Sequence, residues 1–354
     1  MKFEKRLLAA ACILFLVAGI LFAGGQRGRD DADRPLNVGV LVSTVGIPAL
    51  YARDQGWFEE AGLNVNLQIF ATGVPVNEAI AAGRLDIALS GFASVYSLAA
   101  GNCVWLLDVN TTGGMGVFAR SDSPVVTAGR NVSGFPNILG SAATVRGSQI
   151  LGPVGTAAHF MIDGYAARLG LSPTDFQMLN MEFVPAYQAF VAGQGDLNGT
   201  NPPTSYRMLE EGFMRVVSFE DATGVSLMDG LFARSEIVRA RADEVQKFVE
   251  IIIRAMDALQ DERLRFNYSM ARFIANGTSY TDDALNMEIA DRTYMGTQHV
   301  SAPDYIFGEA WGAITDFLVR TERIQQANRS NVPRSLDPSF LSTAIGRNIR
   351  RYTE

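Results

Sequence analysis

The sequence predicts an α/β protein of two doubly wound lobes joined by a hinge, with a helical C-terminal region packed on the first lobe. Three observations carry that expectation. Strand-like and helix-like segments alternate with short connections from residue 36 onward, the pattern of a parallel sheet with crossover helices. A weak internal repeat recurs at a spacing of about 110 residues: Ala79-Ile80-Ala81-Ala82-Gly83-Arg84-Leu85-Asp86 matches Ala189-Phe190-Val191-Ala192-Gly193-Gln194-Gly195-Asp196 at four of eight positions. Beyond it, Val245, Phe248, Val249, Ile252, Met256 and Leu259 fall at three- and four-residue spacing, the stripe of an amphipathic helix.

In the first lobe, residues 36–42 read as a strand and 48–61 as a helix with Pro48 in its first turn and Gly62 as its C-cap. Trp57 and Phe58 close that helix and are expected to fill the first core. Residues 63–70 alternate as a strand does, 75–82 form a helix ending at Gly83, 85–89 a strand, and 92–99 a helix ending at Gly101. The second lobe repeats the order: strand 149–154, helix 157–169, strand 176–183, a helix from Val184-Pro185, strand 196–200, helix 203–211 and strand 213–219. The chain crosses between lobes at 111–123 and returns at 220–230. This divides it into a first lobe of 36–115 and 225–354 and a second of 116–224. Segments 264–275, 281–294 and 305–321 continue the helical tail. Residues 131–147 are longer than an ordinary connection, and read as a cleft lid or an insertion.

The first 25 residues belong to another physical class. Lys2, Lys5 and Arg6 precede an uncharged apolar run over 7–22, and Ala23-Gly24-Gly25 supplies small residues for cleavage. Residues 1–25 thus read as a secretory signal peptide and 26–35 as a solvated tether, with a retained membrane anchor as the alternative. The exported remainder is expected to be soluble, monomeric and periplasmic.

With 354 residues, 48% of them hydrophobic, the chain can bury the cores of two domains, which excludes disorder, a collagen-like fibre and a disulfide scaffold. Thirty Lys and Arg against 37 Asp and Glu give a net charge of -7, and no basic stripe offers a footprint for nucleic acid. Two Cys and two His are too few for a Cys/His zinc cage and thin material for His-dependent catalysis. No catalytic residue, metal or cofactor is therefore expected. Cys103 reads as a small buried apolar residue, and Met208, Met214 and Met228 as adaptable packing.

Three stretches carry a family resemblance: Gly46-Ile47-Pro48-Ala49-Leu50-Tyr51-Ala52, Gly56-Trp57-Phe58-Glu59-Glu60-Ala61-Gly62-Leu63-Asn64-Val65, and Gly83-Arg84-Leu85-Asp86-Ile87-Ala88. In the second lobe Gly155-Thr156-Ala157-Ala158-His159-Phe160 and Gly170-Leu171-Ser172-Pro173-Thr174-Asp175 fit too. Over roughly residues 36–252 the chain resembles the solute-binding proteins of nitrate, sulfonate and taurine ABC importers. That resemblance implies a type II periplasmic-binding-protein fold, a cleft between lobes, and delivery of a small ligand to a membrane permease and its ATPase. Related proteins on this fold make the thiamine pyrimidine with their own histidine and an iron-dependent cysteine cluster, but no Cys cluster exists here. A periplasmic ligand sensor is a further alternative.

The residues reach the same cleft independently. In open α/β sheets ligands sit beyond the carboxyl ends of the strands, where helix N-termini present N–H groups and positive dipole ends. The candidates are Ser43, Thr44 and Gly46, Thr72 and Gly73, and Ser90 and Gly91 in the first lobe, with Gly155 and Thr156, and Thr200 and Asn201, in the second. Each also suits an N-cap. Asp229-Gly230 at the return crossing reads either as facing the cleft, where Asp229 meets a ligand amine, or as a hinge turn. His159 reads as packed. Phe70, Phe92, Tyr96 and Trp105 are available to an aromatic ligand near the first-lobe strand ends. The resemblance implies a small anion or zwitterion of the sulfonate, nitrate or taurine kind, which an array of helix N-termini is physically suited to bind, captured locally because the negative net charge opposes long-range steering.

Overall fold

A computed structural model describes residues 34–353, so the leader at 1–25 and most of the tether lie outside the described residues. Ten strands form two five-stranded sheets. The first holds β1 (Leu36–Leu41), β2 (Val65–Phe70), β3 (Ile87–Ser90), β4 (Cys103–Thr111) and β10 (Met228–Arg234), in the order β2-β1-β3-β10-β4. The second holds β5 (Gly116–Ala119), β6 (Gln149–Gly152), β7 (Gln177–Asn180), β8 (Leu197–Thr200) and β9 (Met214–Ser218), in the order β7-β6-β8-β5-β9. The two orders are the same once β6 to β9 are set against β1 to β4.

The repeat has a structural cause. Asp86 accepts the Asn37 N–H at the start of β1 at 2.9 Å, and Asp196 accepts the Gln149 N–H at the start of β6 at 2.8 Å. The shared aspartate thus fastens the first strand of each lobe to the turn before the third. Arg34 at 2.6 Å and Arg234 at 2.9 Å pair with Asp86, and these bonds hold its carboxyl below the usual range against the burial that raises it.

Neither sheet is purely parallel, contrary to the expectation from alternation. β10 runs antiparallel between β3 and β4, and β5 antiparallel between β8 and β9. These are the two strands that arrive from the opposite lobe, so each enters its sheet from the reverse end. The 111–123 crossing accordingly contracts to the few residues between β4 and β5.

The single helix expected over 48–61 is broken. A short 3-10 turn, Thr44–Gly46, leads into Ile47–Asp54, and Gly56, at φ 71°, turns the chain into a separate Trp57–Glu60. Only Gly adopts that left-handed geometry cheaply. Phe58 is buried and stacks on Phe248 of helix Ala242–Ala258 at 5.2 Å. Trp57 does not fill the core: it is half-buried, with the Arg254 guanidinium 3.9 Å above its ring.

The tail packs on the first lobe through Phe248 and through Trp311, which meets Trp105 edge-on at 4.8 Å. It also reaches the second lobe, which sequence did not suggest. The Tyr206 hydroxyl donates to Asp291 at 2.8 Å, and Phe317 packs against Phe160 at 4.2 Å. Residues 131–147 are part of the second lobe, with Ile138 and Val145 fully buried, Leu139 N–H bonded to Val216 and the Tyr165 hydroxyl donating to the Leu139 carbonyl. They do not line the cavity between the lobes. No helix among the described residues is long and apolar enough to cross a membrane.

Candidate functional site

Where the two crossings lie side by side, Thr112 binds the Leu227 carbonyl through both its N–H, at 3.1 Å, and its hydroxyl, at 3.0 Å. The C-terminal segment adds a third strand of chain: Thr111 N–H donates to Thr293 at 3.0 Å, and Arg292 Nε donates to Gly113 at 3.0 Å. Above this hinge, between the carboxyl ends of both sheets, lies a cavity of about 100 Å³.

Eight of the expected residues line it: Ser43, Thr72, Gly73, Ser90, Gly91, Thr156, Asn201 and Asp229. Four do not. Thr44 is buried and donates its hydroxyl to Glu288. Gly46 is there for packing, since a Cβ would sit 2.1 Å from the Leu41 carbonyl oxygen. Gly155, at φ 78°, faces a neighbouring crevice and gives its N–H to His159 Nδ1 at 3.2 Å. Thr200 is fully buried at the end of β8, its hydroxyl without a hydrogen-bond partner.

Two helix ends at the cavity lack side-chain caps. Helix Gly73–Ala81 of the first lobe and helix Ala157–Arg168 of the second both start at the cavity, and neither Thr72 nor Thr156 caps its helix through its side chain. Thr156 instead donates its hydroxyl to the Pro153 carbonyl at 2.8 Å. A hydroxyl has one proton, so Thr156 has none left for an anion. The first-turn N–H groups of two opposed helices thus remain free to bind one. Ser90 adds a fully buried hydroxyl with no hydrogen-bond partner, beside Gly73.

Arg292 lines the cavity and was not foreseen. Nothing in a helical-looking stretch marks one arginine out of many, and only the return of the tail to the hinge places it. Its Nη1 lies 3.8 Å from Asp229 Oδ2 and 3.9 Å from Glu288 Oε1. Glu288 also accepts the Thr44 and Tyr280 hydroxyls, so it is satisfied as a carboxylate. Asp229 receives only Asn110 Nδ2, at 3.2 Å, on one oxygen. Burial pushes its carboxyl above the usual range, and Arg292 and Asn110 offset part of that. Two carboxylates thus share one guanidinium, and Asp229 is the less neutralised.

Of the aromatic candidates, Phe92 lines the cavity, whereas Trp105 is fully buried in the first core with its Nε1 donated to Asp108 at 2.8 Å. Phe70 and Tyr96 do not line it. His159 is packed, as read, and burial together with Arg323 lowers its pKa to about 4. Cys103 is buried and free, its thiol pushed up to about 12 by burial.

The model of the NMT1-like family matches residues 29–275. A protein of Brachyspira hyodysenteriae, provisionally named an ABC transporter periplasmic binding protein, is 28% identical over 97% of this chain and 98% of its own length. Among solved structures, the alkanesulfonate-binding protein of Xanthomonas axonopodis pv. citri superposes with a TM-score of 0.66 at 18% identity, covering 86% of this chain and 98% of that one. The periplasmic nitrate-binding protein of Synechocystis PCC 6803 gives 0.69 at 12% identity, covering 88% of each. Those likenesses establish the two-lobed periplasmic-binding-protein fold.

Proposed function

This chain belongs to the NMT1-like family, and on that premise we propose that it is the extracytoplasmic solute-binding protein of an ABC importer rather than an enzyme. It captures a small anionic or zwitterionic solute between its lobes, 36–115 with 225–354 on one side and 116–224 on the other. The loaded form then docks, as a monomer, on a membrane permease coupled to an ATPase. The leader over 1–25 exports it, and the periplasm is where it works. The observation that carries the reading is the pair of uncapped helix N-termini, one from each lobe, facing one cavity beside the unpartnered Ser90 hydroxyl.

An anionic head group accepts from those N–H groups and is favoured by both helix dipoles. A cationic group on the same ligand fits Asp229, whose buried charge Arg292 only partly balances. Contact with both lobes is what a closure mechanism requires, because a ligand shifts the open and closed states only by its differential affinity for them. Native mass spectrometry of protein purified without added ligand tests the reading. A small anionic or zwitterionic adduct released on unfolding is the expected result. A nucleotide, a metal or a large apolar adduct would contradict it.

A further inference from the structure

Behind the hinge lies a second cavity, of about 650 Å³, within the range of about 300–1,000 Å³ usual for small-molecule sites. One of its walls is the return crossing itself. Successive side chains of extended chain point to opposite faces, so Leu227 and Asp229 turn to the ligand cavity while Ser226 and Met228 turn to this one. The other wall is the tail, with Met295, Ala302 and Tyr305 ahead of helix Ala310–Arg320, and Ala310 and Ala313 on its first turn. The two cavities share no lining residue.

The charge of the second cavity is one-sided. Asp108 of β4 lies in its lining and is buried, 1% exposed. Its Oδ1 accepts Trp105 Nε1 at 2.8 Å, and its Oδ2 accepts the Tyr305 hydroxyl at 2.7 Å and the Gly308 N–H at 3.3 Å. All three donors are neutral. Burial pushes the carboxyl above the usual range, and these bonds offset part of that. A carboxylate offers about four acceptor positions, so one on Oδ1 stays open. Asp304 and Glu309, both exposed, add two more acids to the lining, which among the described residues contains no lysine or arginine. Val225, Met228, Met295 and Ile306 make much of the rest apolar. A buried carboxylate without a cation is costly, and a positively charged donor relieves it.

We propose that this cavity is a second ligand site, selective for a protonated primary amine on a short apolar body. The ammonium group donates to the open position on Asp108 Oδ1, and Asp304 and Glu309 add to the attraction. The apolar body lies along Met228 and Met295, whose flexible thioether chains adapt to its shape. The site depends neither on an occupied solute cleft nor on the importer reading.

Trp105 reports on it, because its indole N–H is bonded to Asp108. The chain has three tryptophans, so their indole signals separate in a proton–nitrogen NMR spectrum. Trp57, under the Arg254 guanidinium, lines neither cavity and serves as the control. Titration with 2-phenylethylammonium should move the Trp105 signal saturably and leave Trp57 in place, and the neutral 2-phenylethanol should bind at least about tenfold more weakly. Ala313→Phe fills the cavity from an exposed helix position and should weaken binding of the amine at least about tenfold. Asp304→Asn combined with Glu309→Gln should weaken it about threefold. A Trp105 signal unmoved up to about 10 mM amine, an equal response to the alcohol, or wild-type affinity in Ala313→Phe would each overturn the proposal.

Discussion

Phe92 of the first lobe and Phe160 of the second stack across the cleft with ring centroids 5.3 Å apart. Phe160 is at the same time 4.2 Å from Phe317 and 5.6 Å from Phe219, so one side chain ties together both lobes and the tail. Phe160→Ala should lower stability by about 3 kcal/mol, as for other buried phenylalanines. Because the contact is shared between lobes, the ligand-free variant should also scatter as a larger particle. Urea unfolding and solution scattering of the same sample check both.

Ala157 and Thr156 separate backbone from side-chain recognition. Proline is tolerated at the first position of a helix, and Thr156, at φ -110° and ψ 176°, has the extended geometry that precedes one. Ala157→Pro therefore removes a first-turn N–H at the cavity while leaving the fold intact, and should cost about 1.5–3 kcal/mol of affinity if the helix end binds the ligand. Thr156→Ala, whose hydroxyl proton is held by Pro153, should change affinity by less than about 1 kcal/mol. Calorimetric titration of the two variants decides whether the helix end or the hydroxyl binds.

Gly46 and Gly91 look alike in the sequence and should fail differently. A Cβ at Gly46 meets the Leu41 carbonyl, so Gly46→Ala should lose about 1–3 kcal/mol of stability. The folded fraction should bind normally. At Gly91 a Cβ would lie 2.2 Å from Asp229 Oδ1 in the cavity, so Gly91→Ala should impair binding more than it lowers the melting temperature. Thermal melts with and without ligand distinguish the two.

Asp163 and His159 oppose each other in the pH dependence of stability. Burial raises Asp163 to about 6, so its contribution is full below the ordinary carboxylate range and is lost as pH rises through 6. Burial lowers His159 to about 4, so its contribution is full above about 6.5 and is lost as pH falls through 4. The two slopes largely cancel in the wild type. Asp163→Asn leaves only the histidine slope, and its stability relative to wild type should rise between about pH 4 and 6 and level off above. Urea midpoints across that range measure it, and a flat difference would contradict the assignment.

Much of this architecture was legible because it is written in local rules. Glycines at 62, 83 and 101 mark the ends of helical segments, and the Asp86 and Asp196 repeat reports a bond that each lobe needs at its first strand. The cavity was legible in part, because strand ends carry Ser, Thr, Asn and Gly for reasons visible in one segment at a time. Thr44 and Gly46 were misplaced since a buried packing role selects the same small residues. Arg292 depends on where a tail 179 residues from Gly113 in sequence returns to the hinge, and no local pattern records that. The antiparallel strands β5 and β10 were hidden for the same reason, since their direction is set by the crossing between lobes.

Solution scattering with and without ligand tests the central claim most directly. Nitrate, ethanesulfonate and 2-aminoethanesulfonate, each at saturating concentration, present the anionic head groups that the two helix ends should bind. At least one should shrink the radius of gyration, and Ala157→Pro should require about ten- to hundred-fold more solute for the same change. Scattering curves that superimpose for every solute would contradict a receptor that closes on a small anion.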